Sequence, residues 1–336
     1  MADDDPKHGA DLGSDFADAT GGTPADAMPT KEQLKGQDAA HRAEEREAAA
    51  DYEAKAGMSA QVVDEPAPDE NDEYQWHTGI NRPTGVPDAV EFIGVHKAFG
   101  RNKILRGLNM GLPEGKISMI LGPSGTGKSV CIKHMVGLLY PDDGDVVVHG
   151  ESVPTMRDEE LFEMRKKFGV LFQDGALFGS MNLLDNVAFP LRQHTDKGED
   201  EILEIVSRRL GEVGLGEAGD KFPNELSGGM RKRAGFARAL VLDPDIVLFD
   251  EPDSGLDPVR TALLCELIQE IHEENGGAYT VITHDIMSAR RVAEYIAVLW
   301  RGRIVESGPA AELFNSDNAF VRQFLSGAAQ GPLGME

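Results

Sequence analysis

Residues 122–129 read GPSGTGKS, and this string limits the fold more than any other part of the chain. It matches G-x-x-x-x-G-K-[ST] and lies between the apolar run KISMIL and the helix-like stretch KSVCIKHMVGLL, so a strand, a tight turn and a helix must follow one another. Gly125 and Gly127 let the backbone turn until successive N–H groups face an anion, and Gly122, Pro123, Ser124 and Thr126 fill out the loop. The helix opening near Lys128 adds the positive end of its dipole. In such a cradle Lys128 reaches the outer phosphates of a nucleotide, and the Ser129 hydroxyl completes the shell of a Mg2+ ion. With glycine at about 7% of residues, chance supplies the string in roughly one or two of a hundred chains of this length. Other residues must agree with it.

Asp250 and Glu251 close the run DIVLFDE. A carboxylate at the C-terminal end of a buried strand can hold Mg2+ beside a phosphate loop on an adjacent strand, and the next one can orient or deprotonate a water. Acids also end strands because the chain returns to water, but the phosphate loop earlier in the chain weakens that reading. LSGGMRKR at 226–233 offers Ser227, Gly228 and Gly229 at the start of another helix, a second place where N–H groups meet an anion. An ordinary helix cap by Ser227 fits the same string. Two anion-binding edges too far apart to make one loop fit a head-to-tail dimer, with each nucleotide between one copy's phosphate loop and the other's LSGGM segment. Gln173, after GVLF, can bridge Mg2+ and water, and His284, after AYTVIT, can hydrogen-bond a γ-phosphate. As lone residues both are weak signals, and a structural role is the first reading of each. His96, His134, His149, His194 and His272 form no metal-spaced cluster, and no zinc site is expected.

From Val90 onward the β-rich runs VEFIGVH, KISMIL, DVVVHG, GVLFQ, DIVLFD, AYTVIT, YIAVLW and GRIVES alternate with helix-like stretches. That alternation predicts an α/β fold with a mostly parallel sheet and helices on both faces. Residues 174–225 lack a good strand and read as a helical insertion, and no repeat of 20–50 residues supports a solenoid. Residues 1–88 are rich in Ala, Asp, Glu, Gly and Pro and almost lack Ile, Leu and Phe. They bury too little apolar surface to offset ordering, so an acidic, disordered extension is expected, with a transient helix over about 31–56. Tyr74 and Trp76 are the large aromatics near its end and are equally consistent with an anchor or with no role.

Of the formal charge of −25, residues 1–90 carry 21 Asp/Glu against 7 Lys/Arg. Such a chain lacks the clustered Lys/Arg of a phosphate-backbone binder, and no nucleic-acid partner is expected. Cys131 and Cys265 cannot build a disulfide framework, which a core of this size does not need, so a reducing compartment fits. The opening MADDDPKHGADLGSD has neither the basic start nor the apolar stretch of a secretory signal. No uncharged window approaches the about 18 apolar residues of a spanning helix. Any membrane role is expected to come through a partner.

Taken in order, GPSGTGKS, Gln173, LSGGM at 226–230, DIVLFDE at 245–251, SGLDP at 254–258 and His284 resemble the ATP-binding cassette (ABC) ATPases over about residues 89–316. The resemblance implies a P-loop NTPase of ABC type, a mostly parallel sheet with an antiparallel β part, a helical subdomain at about 174–242, and ATP and Mg2+ as cofactors. It makes Phe99, in KAFG, the aromatic that stacks on adenine, and Lys128 and Ser129 the phosphate and Mg2+ ligands. Asp250 becomes the Mg2+-associated carboxylate, Glu251 the catalytic base, Gln173 the sensor glutamine that also approaches Mg2+, and His284 the switch histidine. Asp257 falls in the cross-dimer loop, and Ser227, Gly228 and Gly229 in the signature that closes on the partner's ATP. Met230 departs from the usual Gln and Asp253 from the common Thr; neither change removes a phosphate ligand.

SGGMRKRAGFARAL, FQDGALFGSMNLLDNVAFPL, DEPDSGLDPVR and VRQFLSGAAQGPLGM are similar to the ATPase subunits of Mce-type lipid transporters, above all the actinobacterial Mce-associated (Mkl- and Mla-like) group. This implies a homodimeric ATPase held peripherally on the cytoplasmic face of the cell membrane by permease subunits, with Mce-type substrate-binding proteins, energising lipid or sterol transport in the import direction. The permease groove is expected after Gln173, around Leu177, Phe178, Met181, Leu183 and Leu184, unless these fill the subdomain's own core. Residues 317–336, with Phe320, Val321, Phe324, Leu325, Leu333 and Met335, are expected to pack on the partner subunit. The alternative is a soluble ABC-type ATPase acting on DNA or ribosomes; such proteins commonly carry two cassettes, coiled coils or basic arms. LSGGM and SGLDP oppose a P-loop kinase or GTPase, and intact Lys128, Asp250, Glu251 and His284 oppose a catalytically dead regulator.

Overall fold

The computed structural model of the protein describes residues 74–82, 84–173 and 175–333, all within the unit Asp72–Glu336. The expected extension up to residue 73 and its helix over 31–56 lie outside the described residues. The strands are β1 (Ile80–Asn81), β2 (Asp88–Phe99), β3 (Asn102–Pro113), β4 (Ile117–Leu121), β5 (Asp143–Val148), β6 (Glu151–Ser152), β7 (Phe168–Leu171), β8 (Ile246–Asp250), β9 (Ala278–Thr283), β10 (Tyr295–Trp300) and β11 (Arg303–Pro309). The helices are α1 (Lys128–Met135), α2 (Asp158–Lys166), α3 (Leu183–His194), α4 (Glu199–Glu212), α5 (Gly228–Leu240), α6 (Pro258–Asn275), α7 (Ile286–Val292), α8 (Ala310–Leu313) and α9 (Ala319–Ser326).

A seven-stranded sheet runs β1-β11-β10-β4-β9-β8-β7, and a four-stranded sheet runs β3-β2-β5-β6. β10, β4, β9, β8 and β7 are mutually parallel, whereas β11 is antiparallel to β10. The second sheet is antiparallel throughout. The α/β architecture with an antiparallel part is therefore present. The parallel strands are apolar without a break because both faces are covered. Alternation then divides their side chains between two cores. Ile117, Met119 and Leu121 of β4, Val247 and Phe249 of β8, and Val281 of β9 join α3, α4, α5 and α6. Ile120, Leu248 and Ile282 point the other way, toward α1, α2 and the antiparallel sheet.

Between β7 and β8 the described residues contain no strand, so the helical insertion is formed by α3, α4 and α5. Strand β3 escapes a reading of periodicity because Gly107 and Gly111 interrupt its apolar positions and its pairing with β2 shifts register four times. A one-residue slip exchanges the faces, so the two-residue period is lost.

Two expected boundaries move. The body begins before residue 88. Ile80 pairs with Glu306, Tyr74 Oη accepts from Arg106 at 2.7 Å, and the His77 ring stacks on Trp300 at 5.5 Å. Trp76 packs against the core, and Asn318 Nδ2 donates to its carbonyl at 2.8 Å. Tyr74 and Trp76 thus anchor the segment. At the other end, the C-terminal apolar residues do not wait for a partner to cover them. Phe320, Val321 and Leu325 are buried in this chain's own core, Phe320 lies 4.6 Å from Trp300, and Arg290 donates to Leu325 O at 3.1 Å. These three residues therefore present no exposed apolar surface for a partner subunit to cover.

Phe320→Ala should therefore destabilise the isolated protein by roughly 3–5 kcal/mol, the usual loss for a buried aromatic. Chemical denaturation at concentrations that keep the chain monomeric reads this directly. An effect seen only at dimer-forming concentrations would restore the partner-packing expectation.

Candidate functional site

The strand ends of the parallel sheet meet at one edge. There β4 passes into the loop 122–127 and α1, β8 ends in Asp250, and β9 leads to His284. Gly122 is fixed by space, since a Cβ on it would lie 2.1 Å from Leu299 O. Gly127 has φ +102°, and its Cβ would lie 2.9 Å from Ile104 Cγ2. The loop follows β10 and β3 so closely that only backbone fits at both points.

Lys128 is 5% exposed, and its ammonium donates to Gly122 O and Pro123 O, both at 2.9 Å. Burial holds its pKa below the usual lysine range, opposed by the carboxylates of Glu251 and Asp250. Ser129 Oγ donates to Asp250 Oδ1 at 2.9 Å. Burial raises the Asp250 carboxyl above its ordinary range, the Ser129 bond opposes this, and the nearby Glu251 charge adds to it. Glu251 adopts φ +48°, an uncommon conformation for a residue with a Cβ. Its Oε1 lies 3.6 Å from His284 Nδ1, and its amide donates to Ile282 O at 2.8 Å.

One expectation about placement needs correction. β8 does not neighbour β4; β9 lies between them, pairing Leu121 with Thr283 on one side and Asp250 with Ile282 on the other. Ser129, one residue into α1, spans that gap to reach Asp250. The inserted strand is also what carries His284 to Glu251.

Lys128, Ser129, Asp250, Glu251 and His284 thus form one group. Gln173 stands at its margin, with Nε2 donating to Ser254 Oγ at 3.2 Å. Phe99, Ser227 and Asp257 make no hydrogen bond or ion pair with the group among the described residues. The Phe99 ring is exposed at the end of β2, with Lys97 Nζ 5.8 Å from its centre. Ser227 caps α5 by accepting from Met230 N at 3.3 Å. Asp257 caps α6, accepting from Val259 N at 3.1 Å and Arg260 N at 3.0 Å. A hollow of about 570 Å³ opens beside Ser227, Gly229 and Met230, lined by Glu212, Glu266 and Glu270 on the acidic side and by Lys232, Arg233 and Arg260 on the basic side.

The donor set fits a nucleotide with Mg2+. A turn with no room for a side chain at Gly122 or Gly127, a lysine, a hydroxyl and a carboxylate converge, and no group of three or more His, Cys, Asp or Glu among the described residues could hold a metal by itself. One hydroxyl and one carboxylate suit a hard ion that takes its remaining ligands from phosphate and water.

The permease groove expectation divides. Leu183 is core, and Leu177 and Leu184 pack partly against that core. Phe178 is 42% exposed, 5.0 Å from the Phe189 ring and 5.8 Å from the Arg238 guanidinium. The buried Asn186 holds this loop. It accepts from Phe178 N at 2.7 Å and donates to Phe178 O at 3.1 Å and Met181 O at 3.0 Å. Motif reading missed Asn186, whose one sequence signal is a polar residue on the apolar face of α3. It also missed Lys232, which donates from α5 to Pro252 O at 2.7 Å and to Ser254 O.

Comparison with known proteins identifies the family. The family model described as ABC transporter matches residues 105–254. The chain is 53% identical, over 75% of its length and 72% of the relative's, to the Mycobacterium leprae protein named probable ribonucleotide transport ATP-binding protein mkl. It is 39% identical to the Escherichia coli intermembrane phospholipid transport system ATP-binding protein MlaF, over 74% of this chain and 92% of that protein. Among solved structures, cbiO1 of Clostridium perfringens, part of the ABC transporter complex cbiONQ, matches with a TM-score of 0.63 and 27% identity over 71% of this chain and 95% of that one. The dimeric cassette MJ0796, solved in a post-hydrolysis state with ADP and Pi, matches with a TM-score of 0.61 and 30% identity over 66% and 98%.

Lys128→Ala should weaken ATP binding by about 10- to 100-fold, the value of a hydrogen bond from a charged group. Equilibrium titration with a fluorescent nucleotide measures it; unchanged affinity would remove Lys128 from the site.

Proposed function

Because this chain belongs to the ABC transporter family of ATPases, we propose that it is the ATP-hydrolysing subunit of a Mce-type lipid importer, dimeric and bound to a membrane permease. The contiguity of Lys128, Ser129, Asp250, Glu251 and His284 carries the reading. In this mechanism Lys128 leaves the Gly122 and Pro123 carbonyls and turns its ammonium to the outer phosphates, while the loop amides hold the rest of the chain of phosphates. Mg2+, bound through Ser129 and Asp250 with Gln173 nearby, would offset charge between the outer phosphates. Glu251 takes a proton from water as the water attacks the γ-phosphorus and the bond to ADP breaks. His284 hydrogen-bonds the departing phosphate. Ser227, Gly228 and Gly229 of a second copy complete the pocket, with Asp257 at the seam and Phe99 stacked on adenine.

No helix among the described residues is long and apolar enough to cross a membrane. The reading therefore places the chain peripherally, at the cytoplasmic face, where Phe178 and Met181 receive a permease helix. The MlaF name supports a lipid cargo, while the mkl name, at higher identity, speaks of ribonucleotides. Stimulation of the reconstituted permease complex by lipid vesicles rather than by free ribonucleotides decides between them. The acidic balance of the chain disfavours a cassette ATPase working on DNA or ribosomes.

Glu251→Gln should lower turnover by at least about 10²-fold, a general base being worth 10²–10⁴, while ATP binding persists. Wild-type hydrolysis in that variant would refute the assignment of the base. Phe178→Ala should reduce co-purification of a multi-span permease from detergent several-fold; full retention would place the docking site elsewhere.

A further inference from the structure

The geometry points to Asp253 as a positioning residue that holds the loop carrying His284 in register with Glu251; this rests on the catalytic reading given above. Asp253 is 9% exposed, in the turn between Glu251 and Ser254. Its Oδ2 accepts from Thr283 Oγ1 at 2.6 Å, and Thr283 immediately precedes His284. Ser288 Oγ lies 3.2 Å from the same oxygen and 2.7 Å from Asp285 Oδ2. One hydroxyl proton serves one carboxylate at a time, so the nearer Asp285 takes it and Thr283 remains the principal partner of Asp253. Thr283 Oγ1 also accepts from Asp285 N at 2.9 Å, so both flanks of His284 are tied to one hydroxyl.

Among the described residues three links join the two loops: Glu251 N to Ile282 O at 2.8 Å, Glu251 Oε1 to His284 Nδ1 at 3.6 Å, and the Asp253–Thr283 bond. The second is long, and His284 is 56% exposed there, so solvent screens it. The first fixes only backbone. The buried, charge-assisted third bond is the one able to set the approach of His284. Asp253 Oδ1 has no hydrogen-bond partner among the described residues, a cost that a purely structural position would shed by carrying a hydroxyl. A threonine here has its acceptor one bond nearer the backbone and falls short of Thr283. The loop is clamped from its other side by Lys232, which fixes the Pro252 and Ser254 carbonyls, so Asp253 cannot follow a shift of Thr283 by moving the turn.

Steady-state ATP hydrolysis by the full chain tests this. Asp253→Ala and Thr283→Val should each lower kcat by about tenfold, as expected when a catalytic group loses its placement. KM for ATP should stay within about twofold, and the double variant should be no slower than either single one within the same factor. Asp253→Asn keeps an acceptor for Thr283 and should recover most of the loss. Unchanged kcat in Asp253→Ala, multiplying losses in the double variant, or an Asn variant as slow as Ala would each overturn the role. If Asp253→Ala does not fold, Thr283→Val against Asp253→Asn decides by the same criteria. Glu251→Gln is run beside them: normal turnover there sinks the catalytic reading, whereas a dead Glu251→Gln with an active Asp253→Ala sinks the positioning role alone.

Discussion

The parallel pairing of β4, β9 and β8 is the constraint on which the site depends. Parallel strands end together, so the chain leaves the sheet at one edge three times, after Leu121, Thr283 and Asp250. Ligands in open α/β sheets collect at such an edge because loops there are free to vary while the strands stay fixed. Here the first exit becomes a phosphate loop, the second a histidine and the third a pair of carboxylates. Antiparallel pairing of any one of these strands would send its exit to the opposite edge and disperse the group.

The sequence made the parallel α/β core legible because its strands are continuous apolar runs bounded by turns. Site residues are legible for a related reason: a turn or helix start with N–H groups facing inward tolerates few sequences, so GPSGTGKS and LSGGM carry their geometry with them, while DIVLFDE is legible as an apolar strand closed by two carboxylates. What escaped depends on pairs far apart in the chain. Nothing near Asp253 announces Thr283, 30 residues on, or Ser288. Insertion of β9 between β4 and β8 is equally invisible, because run composition does not encode strand order. The C-terminal helix α9 presents apolar residues that need a cover, and that cover is Trp300 and the core of its own chain.

The turn 252–257 joins the group around Glu251 to the helix start at Ser227. Its beginning follows Glu251, its middle is held by Lys232 from the helix that Ser227 opens, and its end is Asp257, which caps α6. Gln173 touches the same turn at Ser254. A change at either place therefore reaches the other through a few short bonds to a single stretch of backbone. Lys232 is buried and donates to carbonyls, an arrangement that resists solvent screening better than the exposed ion pairs around α3 and α4.

The two ends of the described chain meet on the strand that follows the brace of the phosphate loop. Glu306 of β11 is buried and accepts from Thr78 at 3.3 Å, Arg82 at 3.2 Å and Ser316 at 2.6 Å. A buried carboxylate is tolerable only with such partners, and losing one leaves charge uncompensated. One residue thus requires both the segment before β2 and the segment after α8 to be in place. β11 in turn pairs with β10, whose Leu299 carbonyl blocks any side chain at Gly122, and Arg106 of β3 bonds across to Gly302 at 3.1 Å. The elements outside the ATPase motifs therefore buttress the glycine loop 122–127, and a chain trimmed to its motifs would lack that support.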